Sequence, residues 1–167
     1  MSTGLGTVRT LAETDFPLPE VGPLPHDAVP AADDLAPGSQ PWVIAAACRA
    51  FVAQPLQVAH ARRFIAGVLT GLSAADDVVL CVSELASNAV LHSSSRAPGG
   101  HFVIRAWISA AGRIRTEVED CGGPWVPDAE QDEERGRGLL IVARLATRWG
   151  ITGGDCGRVA WLELDPA

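Results

Sequence analysis

Glu84 and Asn88 stand four residues apart in Ser83-Glu84-Leu85-Ala86-Ser87-Asn88-Ala89, a stretch with helical spacing. One turn of helix sets the carboxylate and the carboxamide on a common flank. A carboxylate there can take the proton of an attacking hydroxyl or water, and an amide oxygen one turn later can ligate Mg²⁺, a hard cation that prefers oxygen. Two further segments follow in order. Glu119-Asp120-Cys121-Gly122-Gly123 runs an aspartate into a glycine pair, and Gly136-Arg137-Gly138-Leu139 sets two glycines at the opening of an apolar run. Glycines at a helix start leave backbone amides open to an anion, the helix dipole favours negative charge there, and Arg137 adds a cation. In order, the three segments supply the parts of a Mg-nucleotide pocket. Singly, each has a plainer reading: a solvated helix face, an aspartate satisfied by the amides of its own turn, and a glycine turn.

The elements that must hold these residues are legible from periodicity. Val78, Val82, Leu85 and Ala89 form one stripe, with Glu84 and Asn88 about 100° around from it, so the polar pair does not interrupt the core. This helix is expected to run to about His92, with Ser73 as its N-cap and Asp76 completing a capping box. Before it, Pro55 opens a helix in which Val58, Ala61, Phe64, Ile65, Val68 and Leu72 recur, closed by Gly71. Residues Trp42 to Val52 are apolar enough for a helix turn or a strand, and the pattern does not decide between them. Phe102, Ile104, Ala106 and Ile108 alternate with Val103, Arg105, Trp107 and Ser109. After a turn at Ala110-Ala111-Gly112, Ile114, Thr116 and Val118 alternate with Arg113, Arg115, Glu117 and Glu119, which predicts an antiparallel hairpin. The same alternation turns Asp120 inward. An inward carboxylate needs a donor. Either nearby backbone amides in the Cys121-Gly122-Gly123 turn supply it, or the exocyclic amine of adenine does, with the glycines allowing a flat base to approach. A polar loop carrying Asp128, Glu130, Asp132, Glu133 and Glu134, a helix from about Gly138 to Arg148 and a strand from Val159 to Leu164 complete the chain. The expected fold is α+β, a two-layer α/β sandwich with helices on one face of a mixed, mostly antiparallel sheet.

Composition narrows the function classes. The 167 residues suffice for one well-cored domain. Residues 1–41, with Pro17, Pro19, Pro23, Pro25, Pro30, Pro37 and Pro41 among scattered acids, read as a disordered arm, leaving 42–167 as the folded domain. A net charge of −7 argues against direct nucleic-acid binding, which needs a basic surface. The chain has neither a membrane-length apolar stretch nor a visible secretory signal, so a soluble cytoplasmic protein is expected. Every basic residue is an arginine. Without lysine, a P-loop ATPase and Schiff-base chemistry are excluded. Cys48, Cys81, Cys121 and Cys156 are too dispersed for a zinc or redox motif.

From about Trp42 onward the chain resembles the GHKL (Bergerat-fold) ATP-binding superfamily, and within it the small bacterial anti-sigma-factor serine/threonine kinases. The resemblance makes Glu84 the catalytic glutamate and Asn88 the Mg²⁺ ligand of the N box. It makes Asp120 and Gly122 the first glycine box at adenine, and Gly136 and Gly138 the second, closing over the phosphates, with Gly123, Arg137 and Leu139 beside them as further nucleotide-binding candidates. It implies ATP and Mg²⁺ as cofactors, and a sigma factor and an anti-sigma antagonist as protein partners, with a homodimer as one assembly. The implied activity is ATP-dependent phosphorylation of the antagonist. The alternative is a non-catalytic regulatory interaction module on the same fold. Two positions depart from the family pattern: Pro124 stands where a second glycine is usual, and Gly157-Arg158-Val159 lacks a threonine often found near the base.

Overall fold

The computed structural model describes residues 9–11, 43–123 and 137–166. Among the described residues six strands form one sheet in the order β1-β2-β3-β4-β6-β5. They are β1 (Arg9–Leu11), β2 (Val43–Val52), β3 (His101–Ser109), β4 (Ile114–Asp120), β5 (Arg148–Gly154) and β6 (Gly157–Leu164). Among the described residues only β1 is parallel to its neighbour, β2, and every other pairing is antiparallel. Helices α1 (Pro55–Val68), α2 (Ala75–His92) and α3 (Arg137–Leu145) cover one face. This is the mixed, mostly antiparallel two-layer arrangement expected from the sequence. Among the described residues no helix is long and apolar enough to cross a membrane.

Pairing with β3 decides the ambiguous first segment, since the alanine-rich run Val43–Val52 has no strong preference of its own and becomes a strand opposite His101–Ser109. Phe51 lies opposite Phe102, with ring centroids 5.3 Å apart, and Phe64 of α1 meets Phe51 edge-on at 5.9 Å. This aromatic cluster fastens α1 to the sheet. The β3–β4 hairpin has the expected alternation: Phe102, Ile104, Ala106, Ile114, Thr116 and Val118 are buried beneath the helices, and Asp120 ends the row, also buried. On the opposite face Arg115 lies 4.6 Å over the Trp161 ring and donates to Glu117 and Glu163, while Arg148 takes the other Glu163 oxygen at 2.7 Å. These contacts tie β4, β5 and β6 together.

Two expectations are corrected. Helix α2 is capped at Ala74, with no side-chain hydrogen bond, so Ser73 is not its N-cap. The Val78 amide bonds the Ala74 carbonyl at 3.1 Å, and Asp76 and Asp77 in the first turn favour the helix dipole instead. Strand β5 also falls where no strand was expected. Its residues are glycine-rich and lie at the sheet edge, so no apolar alternation marks them. Of the N-terminal arm, Arg9–Leu11 pairs with β2. The rest of that arm, the acidic loop, Pro124 and Gly136 lie outside the described residues.

Helix α2 buries the Cys81 thiol completely, and burial pushes its pKa up to about 11 from 9.0, with Asp77 adding to the rise. Cys48 is raised as well, chiefly by burial. The folded state therefore holds these protons to higher pH than the unfolded chain does. Their contribution to stability is full below pH 9 and is lost as pH climbs toward 11. The chain has no lysine or tyrosine to titrate in that window. Urea unfolding at pH 8 and at pH 10.5 should show a loss on the order of 2 kcal/mol, and Cys81→Ala should remove most of that slope. A slope unchanged in the variant would assign the alkaline loss elsewhere.

Candidate functional site

The site is built on α2. Val78, Cys81, Val82, Leu85, Ala86, Ala89 and Val90 are buried, and Glu84 and Asn88 are half-buried on the flank, one turn apart. Ser83 is buried and accepts from Arg62 Nε at 2.9 Å while donating to the Val79 carbonyl at 2.6 Å, which holds α1 against this part of α2. The rotation of α2 about its axis is thus set by apolar contacts on one side and a polar tie on the other.

Helix α3 brings the second glycine segment to Glu84. Gly138 is buried, and a Cβ built there would lie 2.8 Å from Glu84 Oε2 and 3.4 Å from Glu84 Cβ. The first turn of α3 therefore rests directly on the glutamate, with glycine supplying the space for it. Arg137 is exposed at the start of this helix and Leu139 is half-buried against the core.

At the end of β4 the chain is gripped from both sides. Cys121 N donates to Ser95 Oγ at 2.9 Å, and Ser94 N donates to the Gly122 carbonyl at 2.7 Å. Ser93 closes the end of α2 by bonding the Ala89 carbonyl and the Ser95 amide. From the other side Gly123 N donates to Asp155 O at 3.1 Å, across the β5–β6 turn. Gly122 has φ of +70°, and a Cβ there would fall 2.2 Å from the Gly154 carbonyl and 2.6 Å from Gly157 N. Only glycine fits that conformation and that gap.

Asp120 is 9 % exposed, and protein groups satisfy it. Its Oδ1 accepts from Gly122 N at 2.7 Å, and its Oδ2 accepts from Arg158 Nη2 at 3.0 Å and Nε at 3.3 Å. Of the two donors weighed from the sequence, the turn amide is present, and Arg158 is added to it. Burial raises the Asp120 pKa, while the Gly122 amide and Arg158 pull it down. Sequence reasoning missed Arg158, as it missed the roles of Ser93 and Ser95. The signal for Arg158 was available: Asp120 and Arg158 are register partners in neighbouring antiparallel strands.

The structure thus brings Glu84, Asn88 and Gly138 together on one side, and Asp120, Gly122 and Gly123 together on the other, with the Ser93–Ser95 turn running between α2 and the β4 end. Among the described residues no group of three or more His, Cys, Asp and Glu could hold a metal ion. Glu84 fills the space that glycine leaves at 138, so Asn88, half-buried one turn further along α2, is the residue that would hold a Mg²⁺ ion, with phosphate and water supplying its other ligands.

Solved structures with this fold include the RsbU and RsbW domains of Rv1364c from Mycobacterium tuberculosis, at 22 % identity and a TM-score of 0.54 over 71 % of this chain and 32 % of that one. A blue-light activated histidine kinase from Erythrobacter litoralis matches at 24 % identity and a TM-score of 0.50, over 66 % of this chain and 40 % of that one. The SiaB-SiaC complex from Pseudomonas aeruginosa matches at 13 % identity and 0.51, over 70 % and 88 %. The chain spans about a third of the length of the first of these. No curated protein matches it. The family model described as histidine kinase-like ATPase domain matches residues 51–163, both glycine segments and the whole of α2 included, and the chain belongs to that family.

Proposed function

We propose that this domain binds Mg-ATP and transfers its γ-phosphoryl group to a serine or threonine hydroxyl on a protein antagonist, acting as an anti-sigma regulator in the cytoplasm. The observation that carries the reading is the contact between Glu84 and Gly138: a half-buried helical carboxylate is pressed against the glycine start of another helix. In a phosphoryl transfer the γ-phosphorus bonds the acceptor oxygen as its bond to the bridging oxygen breaks, and the acceptor proton needs somewhere to go. Glu84 takes that proton. Asn88 would hold the Mg²⁺, which when bound neutralises charge developing on the phosphates. The amides opening α3 and the Arg137 guanidinium would meet the same charge. Sigma factor and antagonist enter through the family resemblance, and the acidic chain suits basic partner surfaces. Residues 42–167 carry all of these groups.

A second reading, a regulatory interaction module that transfers no phosphate, is favoured by one observation. Asp120, the residue expected to read adenine, already has protein donors on both oxygens.

Glu84→Gln keeps shape and hydrogen-bonding capacity but loses the base, so transfer from labelled ATP to a co-purifying partner should fall by about 10²–10⁴-fold with ATP affinity little changed. Asn88→Ala should lose Mg²⁺-dependent nucleotide binding together with transfer. Wild type that binds its partner tightly, with or without ATP, and transfers nothing to it would establish the module reading instead.

Gly138→Ala tests the contact itself. Alanine favours a helix over glycine by up to about 1 kcal/mol, so urea stability should hold or rise. The new methyl displaces the Glu84 carboxylate, and transfer should drop at least about tenfold, or roughly 1.4 kcal/mol. Wild-type transfer in this variant would show that α3 does not orient Glu84.

A further inference from the structure

Arg158 lies on the acceptor edge that a purine amine would use. Register pairs Arg158 of β6 with Asp120 of β4 on the helix-covered face, so the two side chains run side by side. Both are 7 % exposed. A carboxylate offers about four lone-pair positions. Gly122 N takes one on Oδ1, and Arg158 Nη2 and Nε take both on Oδ2, so one position is left, on the oxygen that already binds the Gly122 amide. An amine arriving at Oδ2 therefore displaces a guanidinium donor. The exchange is unequal, because a charge-assisted bond is roughly twice as strong as the neutral one that an amine makes.

We infer that Arg158 is a specificity-determining residue of the nucleotide site: by holding Asp120 Oδ2, it withdraws the acceptor that would distinguish adenine from other purines. The inference rests on the ATP-binding reading above and adds to it. A nucleotide bound by this chain is held through its phosphates, by the α3 end of the site, while its base edge is read weakly. Gly122 is locked against Gly154 and Gly157, and a Cβ on Gly153 would lie 3.0 Å from Arg158 Cα, so the β5–β6 hairpin holds the arginine backbone closely beside the β4 end.

The test compares Mg-ATP with Mg-ITP, which presents an oxygen where ATP presents the amine, by calorimetry on the full chain. Wild type should bind the two within about threefold of each other. Arg158→Thr frees Asp120 Oδ2 and should bind ATP at least about tenfold more tightly than ITP, through a gain in ATP affinity. Arg158→Gln removes the charge and shortens the side chain but keeps a polar amide, and should shift the ratio in the same direction even where the threonine variant folds poorly. Wild type preferring ATP tenfold or more overturns the inference, as do folded variants with no gain in preference, and both results leave ATP binding intact. Binding of neither nucleotide to any of the folded proteins is the separate result that removes the ATP reading, and the inference with it.

Discussion

Helix α2 turns seven apolar side chains, from Val78 to Val90, toward the interior, and their burial fixes the helix in rotation as well as in depth. Each buried valine or leucine contributes about 1.5–3 kcal/mol, while successive positions lie about 100° apart. Turning the helix by one position would bring Glu84 into the core and Leu85 out of it, losing apolar burial and burying a charge together. The flank that carries Glu84 and Asn88 is thus held in place by residues with no chemistry of their own. Helix α3 uses that fixed surface as its seat, and glycine at 138 is what lets it sit so close.

The β4 end follows a different logic. There the alternation of the strand delivers a carboxylate to the buried face, and an unpaired charge at that depth is not tolerated. The chain meets the requirement locally, through the Gly122 amide, and at long range, through Arg158. In the nucleotide site proposed above, the cation that stability requires stands where the base edge would be recognised. The tension between stability and binding is concentrated in one side-chain pair.

Much of this was legible beforehand, for identifiable reasons. The α2 stripe and the β3–β4 alternation are periodic signals over many residues, and the periodicity of a buried face is what the helix and the sheet require. Glu84, Asn88 and Asp120 could be located because each occupies a definite phase of those patterns. Ala74, in place of Ser73, caps α2 because a cap depends on a single backbone geometry that no periodicity reports. Strand β5 was invisible because an edge strand built on Gly150, Gly153 and Gly154 buries little. The alanine-rich β2 was ambiguous because its conformation is conferred by β3. Arg158 was visible as a departure from a family pattern, but its partner could be found only by aligning β4 with β6, and strand register is a tertiary property.

The bonds that close the β4 end also carry a temporal order. Cys121 reaches back 26 residues to Ser95, and Asp120 reaches forward 38 residues to Arg158. On a ribosome, where the chain appears from its N-terminal end, α2, the hairpin and α3 all emerge while Asp120 still lacks its cation. The sheet then closes with β6 inserting between β4 and an edge strand made just before it. The β4 end is therefore completed only when β6 arrives, and until then the growing domain holds its helix layer with Asp120 waiting for Arg158.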